Sequence, residues 1–185
     1  MAHPAQIIIL NGVGSSGKSS IAKSLQSVAS EPFLHVQMDA FCDMMPDALQ
    51  DHPDGFAFRT YYEDGKALVS IQTGPVGERT LRGMRHAIAA MAAQGNNMIV
   101  DDVMLGDEAA EYAALLSGYR VILVGVFASL ESLEARERQR GDRMIGLARW
   151  QYDRVHRNKH YDLEIDTETS TPMESALLIK QKFGP

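Results

Sequence analysis

Two hydrophobic periods alternate along this chain. Ile7-Ile8-Ile9-Leu10 is an unbroken aliphatic run, long enough for a buried strand and too short for a buried helix. Ile21, Ala22 and Leu25 then recur at helical spacing. They predict a helix from about Gly17 to Ala29, stopped before Pro32 because the residue preceding a proline is pushed out of helical geometry. Phe33 to Met38 predicts a second strand ending at Asp39, and Ala40 to Ala48 a short helix carrying Phe41, Met44 and Met45. From Gln50 to Gly77 the period is lost among Pro53, Gly55, Gly65, Gly74 and Pro75, with Phe56, Phe58, Tyr61 and Tyr62 between them. Helical spacing returns from Glu78 to Gln94, with Leu81, Met84, Ile88 and Met91 on one face and Gly95 as the stop.

Met98-Ile99-Val100 leads into Asp101-Asp102, a third buried strand with acids at its carboxyl end. Asp107 can cap a helix to about Ser117, and Tyr119 to Phe127, the most continuous apolar run, is the best candidate for a central strand. Ser129 can cap a helix that breaks at Gly141; Leu147 to Lys159 predicts another, and Tyr161 to Ile165 a fifth strand. Thr171-Pro172-Met173-Glu174 combines a capping box with proline at the first helical position, opening a last helix. Strands alternating with helices, and apolar on both faces, imply an α/β fold with a parallel sheet covered by helices on both sides. No repeat, low-complexity tract or linker divides the chain, so residues 1–185 are expected to form a single domain. Ligands of such sheets bind at the carboxyl ends of the strands. Asp39, Asp101, Asp102 and the turn after the first strand all fall on that rim.

Composition narrows the partners. Eighteen basic against 24 acidic side chains leave a net charge of −6, which argues against a nucleic-acid binder. A single cysteine, Cys42, rules out an intramolecular disulfide and a cysteine-rich metal site. No apolar stretch approaches the roughly 18 residues of a membrane span, and the N-terminus lacks the form of a signal peptide. A cytoplasmic location is expected, with no membrane partner; homo-oligomerisation is left open.

The strongest chemical signal follows the first strand. Gly12-Val13-Gly14-Ser15-Ser16-Gly17-Lys18-Ser19 satisfies G-x-x-x-x-G-K-[ST] between a strand and a helix, the setting of a phosphate-binding loop. Glycines let consecutive N–H groups converge on an anion, and the following helix adds the positive end of its dipole. Lys18 would reach the β and γ phosphates of ATP, the Ser19 hydroxyl would ligate Mg²⁺, and the cradle runs on to Ser20. The same letters spell G-x-G-x-x-G from Gly12 to Gly17, with Asp39 near the acidic position of a dinucleotide site. Lys18-Ser19 separates the two, because triphosphate chemistry needs both side chains and a dinucleotide needs neither. A serine-glycine loop without a ligand is the blander alternative. A GTPase is excluded: Asn158-Lys159-His160-Tyr161 puts tyrosine where a guanine-specifying aspartate would stand, and no D-x-x-G occurs.

Other groups gain meaning from that loop. Asp39 could merely cap the next helix, or it could accept the proton of an attacking hydroxyl beside the γ-phosphate. One of Asp101 and Asp102 would sit beside Mg²⁺ through water. Arg136, Arg140 and Arg143 share a face if the helix continues past Gly141, a costly arrangement unless an anion lies before it. Glu134 could instead pair with Arg138 on a solvated helix. Trp150 and His156 are expected to pack or hydrogen-bond within their helix, and Arg140-Gly141-Asp142 is taken as a chance adhesion tripeptide.

Nearly end to end, the chain resembles the chloramphenicol phosphotransferase family of P-loop kinases. The likeness is carried by IILNG and the loop to Lys18-Ser19, LQSV (Leu25 to Val28), Asp39 with Met45-Pro46, and IVDDVMLG (Ile99 to Gly106). It continues through RERQRGDR (Arg136 to Arg143) and VHRNKHYDLEIDT (Val155 to Thr167). The resemblance implies a three-layer α/β/α kinase with a five-stranded parallel sheet and a helical lid over about residues 129–146. It implies transfer of the ATP γ-phosphate, with Mg²⁺, to a hydroxyl of a small molecule, chloramphenicol being the family's acceptor. Asp39 would be the base, Lys18 and Ser19 the nucleotide and magnesium contacts, and Arg140 and Arg143 the lid arginines, with Arg136 beside the nucleotide. Gln50 to Gly77, where the acceptor would be held, carries aromatic and acidic residues of its own. A zeta-toxin-like sugar-nucleotide kinase would use the same donor parts, and a non-catalytic ATP-sensing module would use the loop without the base.

Overall fold

The computed structural model describes residues 4–141 and 144–185. The first aliphatic run forms β1 (Gln6–Asn11), buried throughout, and α1 (Lys18–Val28) follows it. Next come β2 (Phe33–Gln37) and a short α2 (Met38–Cys42). An antiparallel hairpin of β3 (Phe56–Glu63) and β4 (Lys66–Thr73) precedes α3 (Pro75–Ala93). The chain continues through β5 (Asn97–Asp102), α4 (Glu108–Leu115), β6 (Arg120–Phe127), α5 (Leu130–Arg140) and α6 (Leu147–Val155). It ends with β7 (Leu163–Asp166) and α7 (Pro172–Phe183).

Five strands form the expected parallel sheet, in the order β2-β5-β1-β6-β7. The middle strand is β1, paired with β5 on one side and β6 on the other, and the long run of β6 is an interior strand as expected, held between β1 and β7. Side chains alternate across a strand, and the two faces are covered accordingly. Ile8, Leu10 and Ile99 pack against Ile21 and Leu25 of α1 and Ile179 of α7. Ile7, Ile9, Met98 and Val100 pack against Met84 and Ile88 of α3 and Tyr112 of α4.

Local signals hold where they rest on a few neighbouring residues. The Thr171 hydroxyl accepts from the Glu174 N–H while the Glu174 carboxylate accepts from the Thr171 N–H, the capping box read from the sequence. Ser129 caps α5 by accepting from the Ser132 N–H, and Gly141 ends that helix in the left-handed region at φ 69°. Two expectations fail. The helix after β2 starts at Met38 and stops at Cys42, so Asp39 lies in its first turn and Gln37 holds the cap position. Gln50 to Gly77 is largely a regular hairpin, turned at Asp64-Gly65 with φ values of 49° and 74°. Asp-Gly with both residues at positive φ is the tight turn whose twist suits antiparallel strands. The aromatic and glycine content of the segment hid its alternation.

Candidate active site

Carboxyl ends of β1, β2 and β5 open on one cleft of about 950 Å³. Its floor is the glycine-rich loop. Gly17 takes φ 100° and Ser15 φ 67°, so the chain curls at both positions. Gly12 has no room for a side chain: a Cβ there would stand 2.4 Å from the Val126 carbonyl oxygen. Gly14, Ser15, Gly17, Lys18, Ser19 and Ser20 line the cleft. Gly12, Val13 and Ser16 instead form the buried underside, where the Ser16 N–H donates to the Val13 carbonyl at 3.1 Å. The loop is anchored by the last residue of β1. Asn11 donates to the Val155 carbonyl and the Tyr161 hydroxyl and accepts from the Met104 N–H, all within 2.9 Å.

Lys18 is buried and folds back along the loop, its Nζ donating to the carbonyls of Gly12 at 2.8 Å and Val13 at 3.1 Å. Ser19 Oγ donates to Asp101 Oδ2 at 2.5 Å, and Lys18 Nζ stands 3.7 Å from Asp101 Oδ1. Burial by itself would raise the Asp101 pKa; Lys18, His35 and the Ser19 hydroxyl outweigh it, so the carboxyl is held below the usual range. His35 Nε2, 3.7 Å from Asp101 Oδ2, flanks the carboxylate from β2. With its proton committed to Asp101, the Ser19 oxygen keeps lone pairs for a cation. Mg²⁺ takes one or two protein ligands and completes its shell with phosphates and water, and the Ser19–Asp101 pair suits that ligand set.

Asp102 is not part of this constellation. Its carboxylate accepts from the Tyr112 hydroxyl and the Val103 N–H, each at 2.7 Å, on the opposite face of the sheet. Burial raises its pKa against those two bonds, and burial likewise raises that of Tyr112. Asp39 lines the cleft in the first turn of α2, together with Phe56, Phe58, Ile71 and Thr73 of the hairpin. Tyr61 and Tyr62, grouped with those phenylalanines in the sequence, lie exposed toward the hairpin tip. Arg136 and Arg140 line the cleft from α5. The Arg136 guanidinium donates to the Thr167 hydroxyl at 2.9 Å and carbonyl at 3.1 Å, joining the lid helix to the turn after β7. Arg143 lies outside the described residues, and α5 ends before it. Glu134 pairs with Arg149 of α6 rather than with Arg138.

Three residues in and around the site make contacts that no spacing in the sequence announces. Gln151, buried on α6, accepts from the Gly14 N–H at 2.8 Å. Glu137 of α5 accepts from the N–H groups of Gly146 and Ala148, both at 2.8 Å, fastening the lid helix to the start of α6. His156 stacks on Phe127 with centroids 3.9 Å apart and shares a 2.7 Å hydrogen bond with the Tyr161 hydroxyl, contacts beyond its own helix. Burial, with the charges of Lys18 and Lys159, lowers its pKa to about 4, and burial raises that of Tyr161 to about 12. Trp150 does pack within its helix, under the Arg154 guanidinium.

A parallel sheet whose central strand runs into this loop, with a hydroxyl-carboxylate pair beside a buried lysine, defines the P-loop kinase fold. Solved structures agree. A sugar kinase from Janibacter sp. HTCC2649 superposes with a TM-score of 0.64 at 17% identity, over 96% of this chain and 94% of that one. The APS kinase of Mycobacterium tuberculosis does so with 0.64 at 15%, over 97% of each. Within that class, residues 5–184 match the model of the chloramphenicol phosphotransferase-like proteins, and the chain belongs to this family. A Mycobacterium tuberculosis protein whose name provisionally describes it as an O-phosphotransferase is 33% identical over 174 residues, 91% of this chain and 77% of that protein. Among the described residues no helix is long and apolar enough to cross a membrane.

Proposed function

We propose that this protein transfers the γ-phosphoryl group of ATP to a hydroxyl of a small, largely uncharged molecule. The observation that carries the reading is that Lys18, Ser19 and Asp101 share one cleft with Asp39 and an apolar wall. Loop amides and Lys18 hold the phosphates, and Ser19 with Asp101 holds Mg²⁺, which would offset charge on the transferring group. Arg140, with Arg143 of the same segment, completes the charge balance from the lid, and Arg136, tied to Thr167, borders the nucleotide. Asp39 takes the proton of the attacking hydroxyl. Phosphoryl transfer has a loose transition state, so positioning and electrostatics supply most of the acceleration.

Acceptor selection is assigned to the hairpin side. Phe56, Phe58 and Ile71 face the same space as Asp39, Met38 and Leu105. Apolar rings with a few polar groups suit a compact hydroxyl compound carrying an apolar portion. The test is a screen of hydroxyl compounds, chloramphenicol first, then nucleosides and sugar nucleotides, for a gain of one phosphate in mass with Mg²⁺ and ATP. A hit that Lys18→Ala abolishes supports the reading. Failure across the panel, with ATP bound normally, favours a nucleotide-sensing module instead.

A further inference from the structure

The peptide unit joining Val13 to Gly14 is held at both ends. Its carbonyl accepts from Lys18 Nζ at 3.1 Å, and its N–H donates to Gln151 Oε1 at 2.8 Å. A carboxamide has one acceptor end and one two-proton donor end. With the acceptor fixed on Gly14, the orientation of the donor end is fixed as well. Gln151 is 4% exposed, yet it lines the cleft beside Gly14, Lys18 and Arg140. Among the described residues its NH₂ group has no hydrogen-bond partner, and the residue that carries it lines the cleft.

The geometry points to Gln151 as a further phosphate-contacting residue, whose Nε2 donates to the terminal phosphoryl group of the bound triphosphate. This rests on the nucleotide reading above. Lys18 reaches the β and γ phosphates in loops of this kind, while the amides nearer the helix serve the α and β phosphates. Gly14 comes before those amides, at the γ end, and Gln151 is bonded to it. A donor placed there by a buried helix needs no rearrangement to meet developing charge. The placement also couples the site to its surroundings. Gly146, at the start of α6, gives its N–H to Glu137 of the lid helix and accepts at its carbonyl from the Val69 N–H of the hairpin, at 3.0 Å.

Calorimetric titration of the full chain with Mg²⁺-ADP and with the Mg²⁺ complex of an imido-bridged, non-hydrolysable ATP analogue tests the assignment. The readout is the ratio of the two affinities, in which a general change of loop shape cancels. Gln151→Glu keeps an acceptor for Gly14 and loses the donor; Gln151→Met loses both without adding charge. Both variants are expected to lose about 10- to 100-fold in affinity for the analogue relative to ADP, the scale of a hydrogen bond to a charged group. Equal weakening of both nucleotides, or no weakening, would overturn the assignment and leave Gln151 as a shaper of the loop. A wild-type chain that binds neither nucleotide would instead refute the nucleotide reading itself. Apo melting curves identify a variant that fails to fold, and the other then decides.

Discussion

Asp101 accepts a 2.5 Å hydrogen bond from Ser19, while Asp102, its bonded neighbour on β5, accepts a 2.7 Å one from Tyr112. The two carboxylates project to opposite faces of the sheet. Asp101 follows Ile99 by two residues and shares its face with α1; Asp102 follows Val100 and shares its face with α4. Strand alternation separates two acids that are adjacent in the chain.

Their substitutions should therefore have separable effects. Asp101→Asn is expected to raise the Mg²⁺ concentration needed for half-maximal turnover by about tenfold or more, the range found for groups that orient metal ligands. Ser19→Ala should do the same. Asp102→Asn should leave that requirement unchanged and lower stability by about 1–3 kcal/mol, since it disturbs a buried hydrogen-bonded pair. Magnesium titration of turnover, alongside urea unfolding, distinguishes them, and an equal Mg²⁺ shift in both variants would refute the division.

Asp39 separates phosphoryl transfer from nucleotide binding. Asp39→Asn should keep ATP affinity within about twofold and reduce transfer to an identified acceptor by about 10²- to 10⁴-fold, the usual worth of a positioned base. Single-turnover transfer and equilibrium binding of ATP are the measurements. Undiminished transfer would remove Asp39 from the mechanism.

His156 sets a pH dependence of stability. Its pKa is lowered from 6.5 to about 4 in the folded chain, chiefly by burial. Between those values the unfolded chain binds a proton that the folded chain excludes, so stability falls as pH drops from above 6.5 toward 4. The ring is only partly buried, and solvent screening leaves the loss on the order of 1 kcal/mol. His156→Phe keeps a ring on Phe127 and should flatten this limb, while costing about 1 kcal/mol at every pH for the lost bond to Tyr161. Urea midpoints at pH 7 and pH 5 decide; an identical acid limb in the variant would clear His156 of the effect.

Much of the donor side was legible before any fold was known. Gly12 to Ser19 could be read as a phosphate loop because glycines, lysine and serine at fixed spacing have local work to do. The hairpin was legible in principle, since Asp64-Gly65 is a strong turn signal. Its alternation is obscured because nearly all positions of β3 and β4 are exposed or half-exposed, so polar and apolar residues do not separate cleanly. The charge pattern of Arg136, Arg140 and Arg143 is legible from spacing alone; Arg136 and Arg140 both line the cleft from α5, and Arg143 lies outside the described residues.

The sequence by itself determined the alternation of strands and helices, the phosphate loop, the caps at Ser129 and Thr171, and an acid pair at the end of β5. Each depends on residues within a few positions of one another, where backbone sterics and local hydrogen bonding act. Only the tertiary structure decided which acid meets Ser19, since alternation says that Asp101 and Asp102 part company but not against which face α1 packs. It also decided the strand order, with β1 in the middle and β6 beside it. Gln151 meets Gly14 across 137 positions of chain, and Asn11 meets Tyr161 across 150. A hydrogen bond over such a separation leaves no period or spacing in the sequence. It exists only because packed helices and strands bring the two groups within 3 Å.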